Sequence, residues 1–207
     1  MQAPLGVILA GGLAQRMGGG DKGLLELDGQ SLLARVIERL EPQVAELAIN
    51  ANGDAARFAA FAVPVISDSI DGFAGPLAGV LAGLDWAATK RADHIVTAAA
   101  DTPFFPADLV PRLLLASETE NKPIALAATP HPKRGLLRQP TFGLWPVALR
   151  DDLRAALNDG VRKIVQWTDG HGAALAPFSI QGFDPFFNVN TPEDMKTAEA
   201  LLAGDVT

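Results

Sequence analysis

The sequence predicts an α/β protein with a mostly parallel central sheet and helices on both of its faces. Short apolar runs typical of buried strands alternate with segments whose apolar residues recur at helical spacing. Such alternation is typical of βαβ units in a three-layer fold. The chain has 207 residues, of which 48% are hydrophobic and 20% are charged, a composition typical of globular proteins. This length predicts a single domain with a sizeable core, spanning residues 1–207.

The first half of the chain contains the clearest alternation. Ser31 is a typical helix N-cap, Pro42 bounds the helix that follows, and Pro76 suits the first turn of another helix. The predicted strands are residues 6–10, 47–49, 63–66 and 94–99, and the predicted helices are residues 32–40, 54–61, 76–89 and 106–117.

The second half is less regular. Two prolines and a glycine within residues 130–138 predict either a mobile loop or a hairpin. Thr191 as N-cap, Pro192 at the first helical position and two acidic residues in the first turn predict the start of the last helix. The remaining predictions are strands at residues 124–129 and 173–180, extended structure at 138–144, and a helix at 149–157.

Charge and composition exclude several classes of function. The net charge is −7, which disfavours nonspecific binding to nucleic acid. Cysteine is absent, so disulfides, thiolate metal sites and cysteine nucleophiles are excluded. The apolar start is too short, and too soon interrupted by glycine, for a signal peptide, and no apolar run has the length of a membrane span. We therefore expect a cytoplasmic protein without a membrane partner.

Residues 9–23 predict an anion site directly after the first strand. Six of these fifteen residues are glycine, and the cations are Arg16 and Lys22. Backbone N–H groups in glycine-rich turns form concavities that bind anions, and two adjacent cations suit a polyphosphate. Lys22 lies between Asp21 and Gly23, which excludes a P-loop. The alternative interpretation is a flexible loop with solvated cations.

Polar side chains occur where three predicted strands end. Asp101 suits a Mg²⁺ ligand, since Mg²⁺ takes one or two protein carboxylates and completes its shell with phosphates and water. Asp68 could accept hydrogen bonds from guanine, and Asn50 could contact base or ribose. A turn or cap aspartate, a loop aspartate and an Asx turn are the respective structural alternatives. Because ligands bind beyond the carboxyl ends of parallel strands, we expect these loops to meet.

The segment from Gly75 to Gly79 opens the helix predicted at residues 76–89. Its small residues either let a base or ribose approach the helix N-terminus or allow close packing of the helix on the sheet.

Taken together, these motifs resemble the molybdenum cofactor guanylyltransferase family. The resemblance covers nearly the whole chain and follows its order. It rests on Leu9-Ala10-Gly11-Gly12, Arg16-Met17-Gly18-Gly19, Asp21-Lys22-Gly23, Asn50-Ala51-Asn52, Gly75-Pro76-Leu77-Ala78-Gly79, Asp101-Thr102-Pro103, the segment 138–145, and Asn188-Val189-Asn190-Thr191-Pro192-Glu193-Asp194. The N-terminal loop alone is shared with other nucleotidyltransferases.

The resemblance implies a Rossmann-like nucleotidyltransferase fold and two binding regions. The GTP-binding residues it implies are Leu9, Ala10, Gly11, Lys22, Asn50, Asp68 and Asp101, with Gly12, Gly75 and Gly79 as further candidates. It suggests a molybdopterin site near Gln139, Pro140, Asn188 and Asn190. Asp101 would also hold Mg²⁺.

The implied reaction transfers GMP from GTP to molybdenum-molybdopterin and releases pyrophosphate, with Arg16, Lys22 and Asp101 as catalytic residues. Transient contacts with proteins that donate and accept the cofactor are a family-level expectation. One alternative is a CTP-using molybdopterin cytidylyltransferase or related nucleotidyltransferase. Another is a noncatalytic GTP-binding chaperone that delivers the cofactor.

Overall fold

A seven-stranded sheet forms the centre of the computed structural model, which describes residues 3–11, 21–70, 72 and 75–204. The strands are β1 (Leu5–Leu9), β2 (Glu26–Leu27), β3 (Gln30–Ser31), β4 (Leu47–Asn50), β5 (Val65–Ile66), β6 (His94–Ala99), β7 (Ile124–His131), β8 (Gly135–Pro146) and β9 (Ala173–Pro177). The central sheet has the order β5-β4-β1-β6-β8-β7-β9, and β2 pairs with β3 in a separate two-stranded sheet. The prediction of a mostly parallel sheet is confirmed, since among the described strands of the central sheet only β8 runs antiparallel to its neighbours.

The strand order reverses beside β1. From β1 the sheet grows in one direction through β4 and β5, and in the other direction through β6. The register aligns Leu9 with both Asn50 and Ala99, so the three strands end at the same level. In open α/β sheets a crevice forms outside the carboxyl ends of the strands at such a switch point.

Helices cover both faces of the sheet. They are α1 (Leu32–Leu40), α2 (Pro76–Thr89), α3 (Leu109–Glu120), α4 (Arg150–Asn158), α5 (Ile164–His171) and α6 (Pro192–Ala203). Short 3-10 helices lie at Lys22–Leu24, Glu41–Gln43, Ala55–Phe61 and Val147–Leu149. Within the described ranges no helix is long and apolar enough to cross a membrane.

Alternation along the strands produces two separate cores. Ile8 and Val96 pack with apolar residues of α1 and α3 on one face. Val7 and Ile95 point to the other face, where α2, α4 and α5 cover them. Successive side chains of a strand point to opposite faces, so an uninterrupted apolar run serves both cores. The three layers predicted from the sequence are confirmed.

Several element boundaries differ from those predicted. The predicted helix at 106–117 begins at Leu109 instead, which places Pro111 in the first turn, where its missing N–H costs no intrahelical bond. The predicted strand at 173–180 ends at Pro177, opposite Ala128. The predicted helix at 54–61 is a 3-10 helix at Ala55–Phe61.

The ambiguous segment 130–138 is a hairpin rather than a mobile loop, because β7 and β8 pair to its tip, where His131 lies opposite Gly135. The start of α6 agrees with its prediction. Thr191 Oγ1 accepts a hydrogen bond from the Asp194 N–H, while the Asp194 carboxylate accepts one from the Thr191 N–H.

Candidate active site

A cleft of about 820 Å³ opens at the carboxyl ends of β1, β4 and β6. The strand ladder continues one residue beyond each strand end. Ala10 N–H donates to the Asn50 carbonyl at 2.9 Å, and Ala100 N–H donates to the Leu9 carbonyl at 3.1 Å. The cleft is lined by residues 9–11, 21–23, 99–101, Asn50, Asn52, Arg57, Asp68, Gly75, Pro76, Thr141 and Asn188. The expectation that the loops following separate strands meet at this edge is confirmed for the residues that the structure describes.

Lys22 and Asp101 face each other in this cleft. The Lys22 Nζ lies 3.9 Å from Asp101 Oδ2, with about a quarter of each side chain exposed. The single hydroxyl proton of Thr102 is shared between Asp101 Oδ1, at 3.3 Å, and Asn188 Oδ1. Burial raises the pKa of the Asp101 carboxyl above its ordinary value, while the Lys22 charge and the Thr102 hydrogen bond oppose the rise. Because burial disfavours the charged form and Lys22 offsets this only in part, the Asp101 carboxylate would be stabilised by a further positive charge, such as a metal ion.

The segment before α6 lies against the same carboxylate. Asn190 Oδ1 accepts a hydrogen bond from Lys22 Nζ at 2.6 Å. Asn188 Oδ1 accepts one from the Thr102 hydroxyl, and Val189 N–H donates to the Asp101 carbonyl at 2.8 Å. This segment therefore helps to orient Lys22 and Asp101, although the sequence interpretation assigned Asn188 and Asn190 to molybdopterin alone.

A second carboxylate, Asp68, is held by two asparagines. Asn50 Nδ2 donates to Asp68 Oδ1 at 3.0 Å, and Asn52 Nδ2 donates to Oδ2 at 2.7 Å. The Asp68 N–H in turn donates to Asn52 Oδ1 at 2.9 Å. Each carboxylate oxygen keeps a free lone pair. The carboxylate is therefore preoriented and can still accept hydrogen bonds from a ligand with adjacent donors.

The two candidate glycines of α2 have different surroundings. Gly75 lines the cleft, whereas Gly79 is not among the described lining residues. A Cβ added at Gly79 would lie 2.3 Å from Asn50 Oδ1 and 2.7 Å from Leu9 Cδ2. Close packing of α2 on the sheet explains Gly79, and this packing places α2 directly against a candidate binding residue.

Two other predicted site residues are not among those that line the cleft. Gln139 and Pro140 are in β8 and are not among the described lining residues, and Gln139 Nε2 donates to Thr129 Oγ1 at 3.1 Å. Thr141, two residues after Gln139, does line the cleft. Gly12 and Arg16 fall outside the residues that the structure describes.

Among the polar residues that line the cleft, sequence reasoning assigned no site role to four: Asp21, Asn52, Arg57 and Thr141. Asn52 belongs to the turn that contains Asn50, and Asp21 precedes Lys22, so their neighbours provided a signal. Arg57 had none, since it reaches the cleft from a 3-10 helix whose residues otherwise resemble an ordinary surface segment.

The fold and the cleft together define the chain as a nucleotidyltransferase of the α/β class. The described ends of the loop after β1, at Gly11 and Lys22, meet the Asp101 carboxylate at the switch point of the sheet, an arrangement suited to a nucleoside triphosphate. The family model described as the MobA-like NTP transferase domain matches residues 6–173, and the chain belongs to this family.

Curated relatives match almost the whole chain. A molybdenum cofactor guanylyltransferase from Rhodopseudomonas palustris (strain BisB5) is 54% identical over 202 residues, covering 96% of this chain and 94% of the relative. Another from Cereibacter sphaeroides is 50% identical over 200 residues, covering 97% of both.

Solved structures have the same fold. The molybdopterin-guanine dinucleotide biosynthesis protein A from Archaeoglobus fulgidus superimposes with a TM-score of 0.72 at 24% identity, covering 97% of this chain and 99% of that one. A 4-diphosphocytidyl-2C-methyl-D-erythritol synthase from Anaerococcus prevotii gives a TM-score of 0.73 at 13% identity, covering 98% and 99%. Likeness at such identity concerns the fold alone.

Proposed function

We propose that this chain is a molybdenum cofactor guanylyltransferase, which transfers GMP from GTP to molybdenum-molybdopterin. The products are the guanine dinucleotide form of the cofactor and pyrophosphate. The observation that carries the proposal is the meeting of Lys22 and Asp101 in one cleft with the preoriented Asp68 carboxylate. Relatives about half identical to this chain over nearly their full length have this name.

The cleft suggests how GTP would lie. The Asp68 carboxylate would accept from N1–H and the N2 amino group of guanine, using the lone pairs that Asn50 and Asn52 leave free. Leu9 and Ala10 would lie beside the nucleotide, with the Ala10 N–H kept in the strand ladder, and the Gly11 N–H would face the phosphates. Lys22 would bind the β- and γ-phosphates, and Arg16 is proposed to assist it.

The reaction needs positioning more than proton transfer. A terminal phosphate oxygen of molybdopterin attacks the α-phosphorus of GTP, the bond from that phosphorus to the bridging oxygen breaks, and pyrophosphate leaves with its electron pair. The attacking oxygen is already an anion, so no base is required. Lys22 stabilises the charge that develops on the leaving pyrophosphate, and the cleft aligns the two phosphates.

We also propose that Asp101 holds Mg²⁺. The donor chemistry fits, because Asp101 offers hard carboxylate oxygens that face the cleft. Among the described residues, no cluster of three or more His, Cys, Asp or Glu side chains could bind a metal unaided. Phosphate oxygens of the nucleotide and water would therefore complete the shell. When bound, the ion would supply positive charge that neutralises the phosphates.

The second substrate would bind on the C-terminal side. Asn188 and Asn190 lie beside the Lys22 and Asp101 pair, and Gln139 and Pro140 lie on β8, which also carries Thr141 into the cleft. We propose these four residues as the molybdopterin side of one domain formed by the whole chain. We further propose that the proteins that donate and accept the pterin bind this chain transiently. We place the reaction in the cytoplasm, because it consumes GTP.

A pyrophosphate-release assay tests the proposal. Purified protein is given each of the four nucleoside triphosphates with Mg²⁺, with and without molybdenum-molybdopterin. We expect release that requires both GTP and the pterin. Faster release with CTP would favour a cytidylyltransferase instead, and GTP binding without release would indicate a noncatalytic carrier.

Asp101→Ala tests the metal role in the same assay. We expect turnover to be lost even at saturating Mg²⁺ and GTP. We also expect Mg²⁺ to bind more weakly in the presence of GTP, as measured by calorimetry. Asp108→Ala is the control, since this exposed carboxylate pairs with Arg112 outside the cleft lining. Unchanged turnover in Asp101→Ala would remove the proposed metal ligand.

A further inference from the structure

We propose that Arg57 is a positioning residue that connects the phosphate side of the cleft to its base-recognition side. This inference rests on the proposed function and names a residue that serves it. Arg57 lies in the 3-10 helix Ala55–Phe61 and lines the cleft with about a quarter of its side chain exposed.

The guanidinium joins two loops that follow different strands. Its Nε donates to the Asp21 carboxylate in the loop after β1. Its Nη1 donates to the Asp54 carbonyl, and its Nη2 donates to the Asn52 carbonyl at 2.6 Å, both in the loop after β4. The planar fork of arginine can make such bonds in several directions at once, which a lysine ammonium on a flexible stem does less well.

On the base side, Arg57 fixes the residue that orients Asp68. The Asn52 carbonyl accepts from Arg57, while the Asn52 side chain forms a reciprocal pair with Asp68, at 2.7 Å to the carboxylate and 2.9 Å from the Asp68 N–H. Without Arg57 the Asn52 backbone loses its restraint, and the Asp68 carboxylate loses one of its two orienting amides. Discrimination by Asp68 between purines with and without a 2-amino group should then decline.

On the phosphate side, Arg57 compensates a carboxylate that would otherwise oppose the nucleotide. Asp21 lines the cleft and directly precedes Lys22. An unpaired Asp21 carboxylate would repel a triphosphate and compete with it for the Lys22 ammonium. The pairing with Arg57 removes both effects. Arg57 therefore acts on the nucleotide through Asp21 and Asn52, rather than as a catalytic residue.

The ring of Phe58 supports this arrangement, since the Arg57 guanidinium carbon lies 4.6 Å from the centroid of that buried ring. Arg112 offers a closely matched control. It lies 4.4 Å from the Phe178 ring centroid, donates to the Pro177 carbonyl and pairs with Asp108, but it is not among the residues that line the cleft.

The test is equilibrium binding of GTP and of inosine triphosphate, which lacks the 2-amino group, to wild type, Arg57→Gln, Arg57→Lys and Arg112→Gln. We expect wild type to prefer GTP. Arg57→Gln should bind GTP about tenfold or more weakly, because it loses hydrogen bonds made by a charged group. The ratio of its affinities for GTP and inosine triphosphate should also be smaller than in wild type.

Arg57→Lys separates the two contributions. A lysine retains the charge beside Asp21 but not the fork that reaches the Asn52 carbonyl. It should recover most of the affinity for inosine triphosphate while the preference for GTP stays reduced. Melting temperatures are measured for every variant, and Arg57→Lys stands as the test if Arg57→Gln fails to fold.

Two results would overturn the inference, and they are distinguishable. If wild type prefers GTP and the Arg57 variants keep that preference, shifting only their melting temperatures as Arg112→Gln does, then Arg57 is merely structural and the proposed function stands. If wild type itself does not bind GTP, or binds GTP and inosine triphosphate equally, the assignment of Asp68 to guanine fails, and the inference fails with it.

Discussion

Asn190 accepts a hydrogen bond from the Lys22 ammonium at 2.6 Å, which joins the loop after the first strand to the segment before the last helix, 168 residues away in sequence. Asp101 Oδ2 lies 3.9 Å from the nitrogen of the same ammonium. The cation that is proposed to bind the triphosphate is therefore aimed by a residue that the sequence associates with the other substrate. This link would let each binding region influence the other.

Asn190→Ala is expected to lower kcat/KM for GTP by about tenfold or more, because a hydrogen bond to a charged group contributes about 1.5–3 kcal/mol. Asn190→Asp should be worse, since a new carboxylate would pair with Lys22 and repel the triphosphate. Steady-state kinetics of pyrophosphate release measure both. Asn158→Ala, at an exposed position outside the cleft lining, is the control. Wild-type kinetics in Asn190→Ala would show that Lys22 needs no such partner.

Gly79→Ala should impair both folding stability and nucleotide binding. Its Cβ would meet Asn50 Oδ1 at 2.3 Å and Leu9 Cδ2 at 2.7 Å, so α2 or Asn50 must shift, at a cost of about 1–3 kcal/mol. Because Asn50 orients Asp68, GTP affinity should fall as well.

Gly83→Ala, one turn further along α2, is the matched control. Its Cβ would meet Ile95 Cδ1 and Val7 Cγ2, both at 2.8 Å, and neither is a lining residue of the cleft. Urea unfolding should show a loss of stability in both variants, and GTP titration should show weaker binding in Gly79→Ala alone. Equal GTP affinities would indicate that the Asn50 side chain adapts without consequence.

Asp101→Asn should make the protein more stable at neutral pH. Burial raises the pKa of Asp101 in the folded state above the unfolded value of about 3.9, so the folded state binds more protons between these two values. The free energy of unfolding of wild type therefore falls as pH rises from the unfolded to the folded pKa of Asp101. Above the folded pKa it stays lower by the same amount.

The increase in the free energy of unfolding caused by Asp101→Asn should accordingly be absent below about pH 3.9. It should reach its full size above the pKa of Asp101 in the folded state. Urea unfolding of wild type and variant across this range measures it. Asp108→Asn, at an exposed carboxylate, is the comparison. An Asp101→Asn protein less stable than wild type at neutral pH would contradict the dominance of burial at this site.

His94 should confer stability that is lost on acidification. Burial lowers the pKa of the His94 imidazole below 6.5, and the neighbouring Asp93 charge only partly opposes this shift. As pH falls from 6.5 to the folded-state pKa, the unfolded chain takes up a proton that the folded chain does not, so the free energy of unfolding decreases.

His94→Gln should remove this component of the pH dependence without affecting the cleft, since His94 lies at the first residue of β6, at the opposite end from Asp101. NMR titration of the imidazole in wild type measures the pKa directly. A value at or above the ordinary value would contradict the prediction.

The sequence by itself determined the layer architecture and the approximate location of the site. Uninterrupted apolar runs such as that of β1 serve two cores at once, which requires helices on both faces. The polar residues Asn50, Asp68 and Asp101 were identifiable because each lies at or just after the end of a strand, and parallel strands bring their carboxyl ends to one edge.

The tertiary structure alone decided which side chains orient which others. The Lys22 and Asn190 contact joins segments 168 residues apart, and no local pattern encodes the direction of a side chain across that separation. From the sequence, Gly79 was compatible both with the approach of a ligand and with close packing of the helix. The position of α2 against Asn50 shows that close packing requires the glycine. Arg57 reaches Asp21 across 36 residues from a 3-10 helix. Strand ends are determined by local periodicity, whereas such pairings depend on the long-range packing of helices on the sheet.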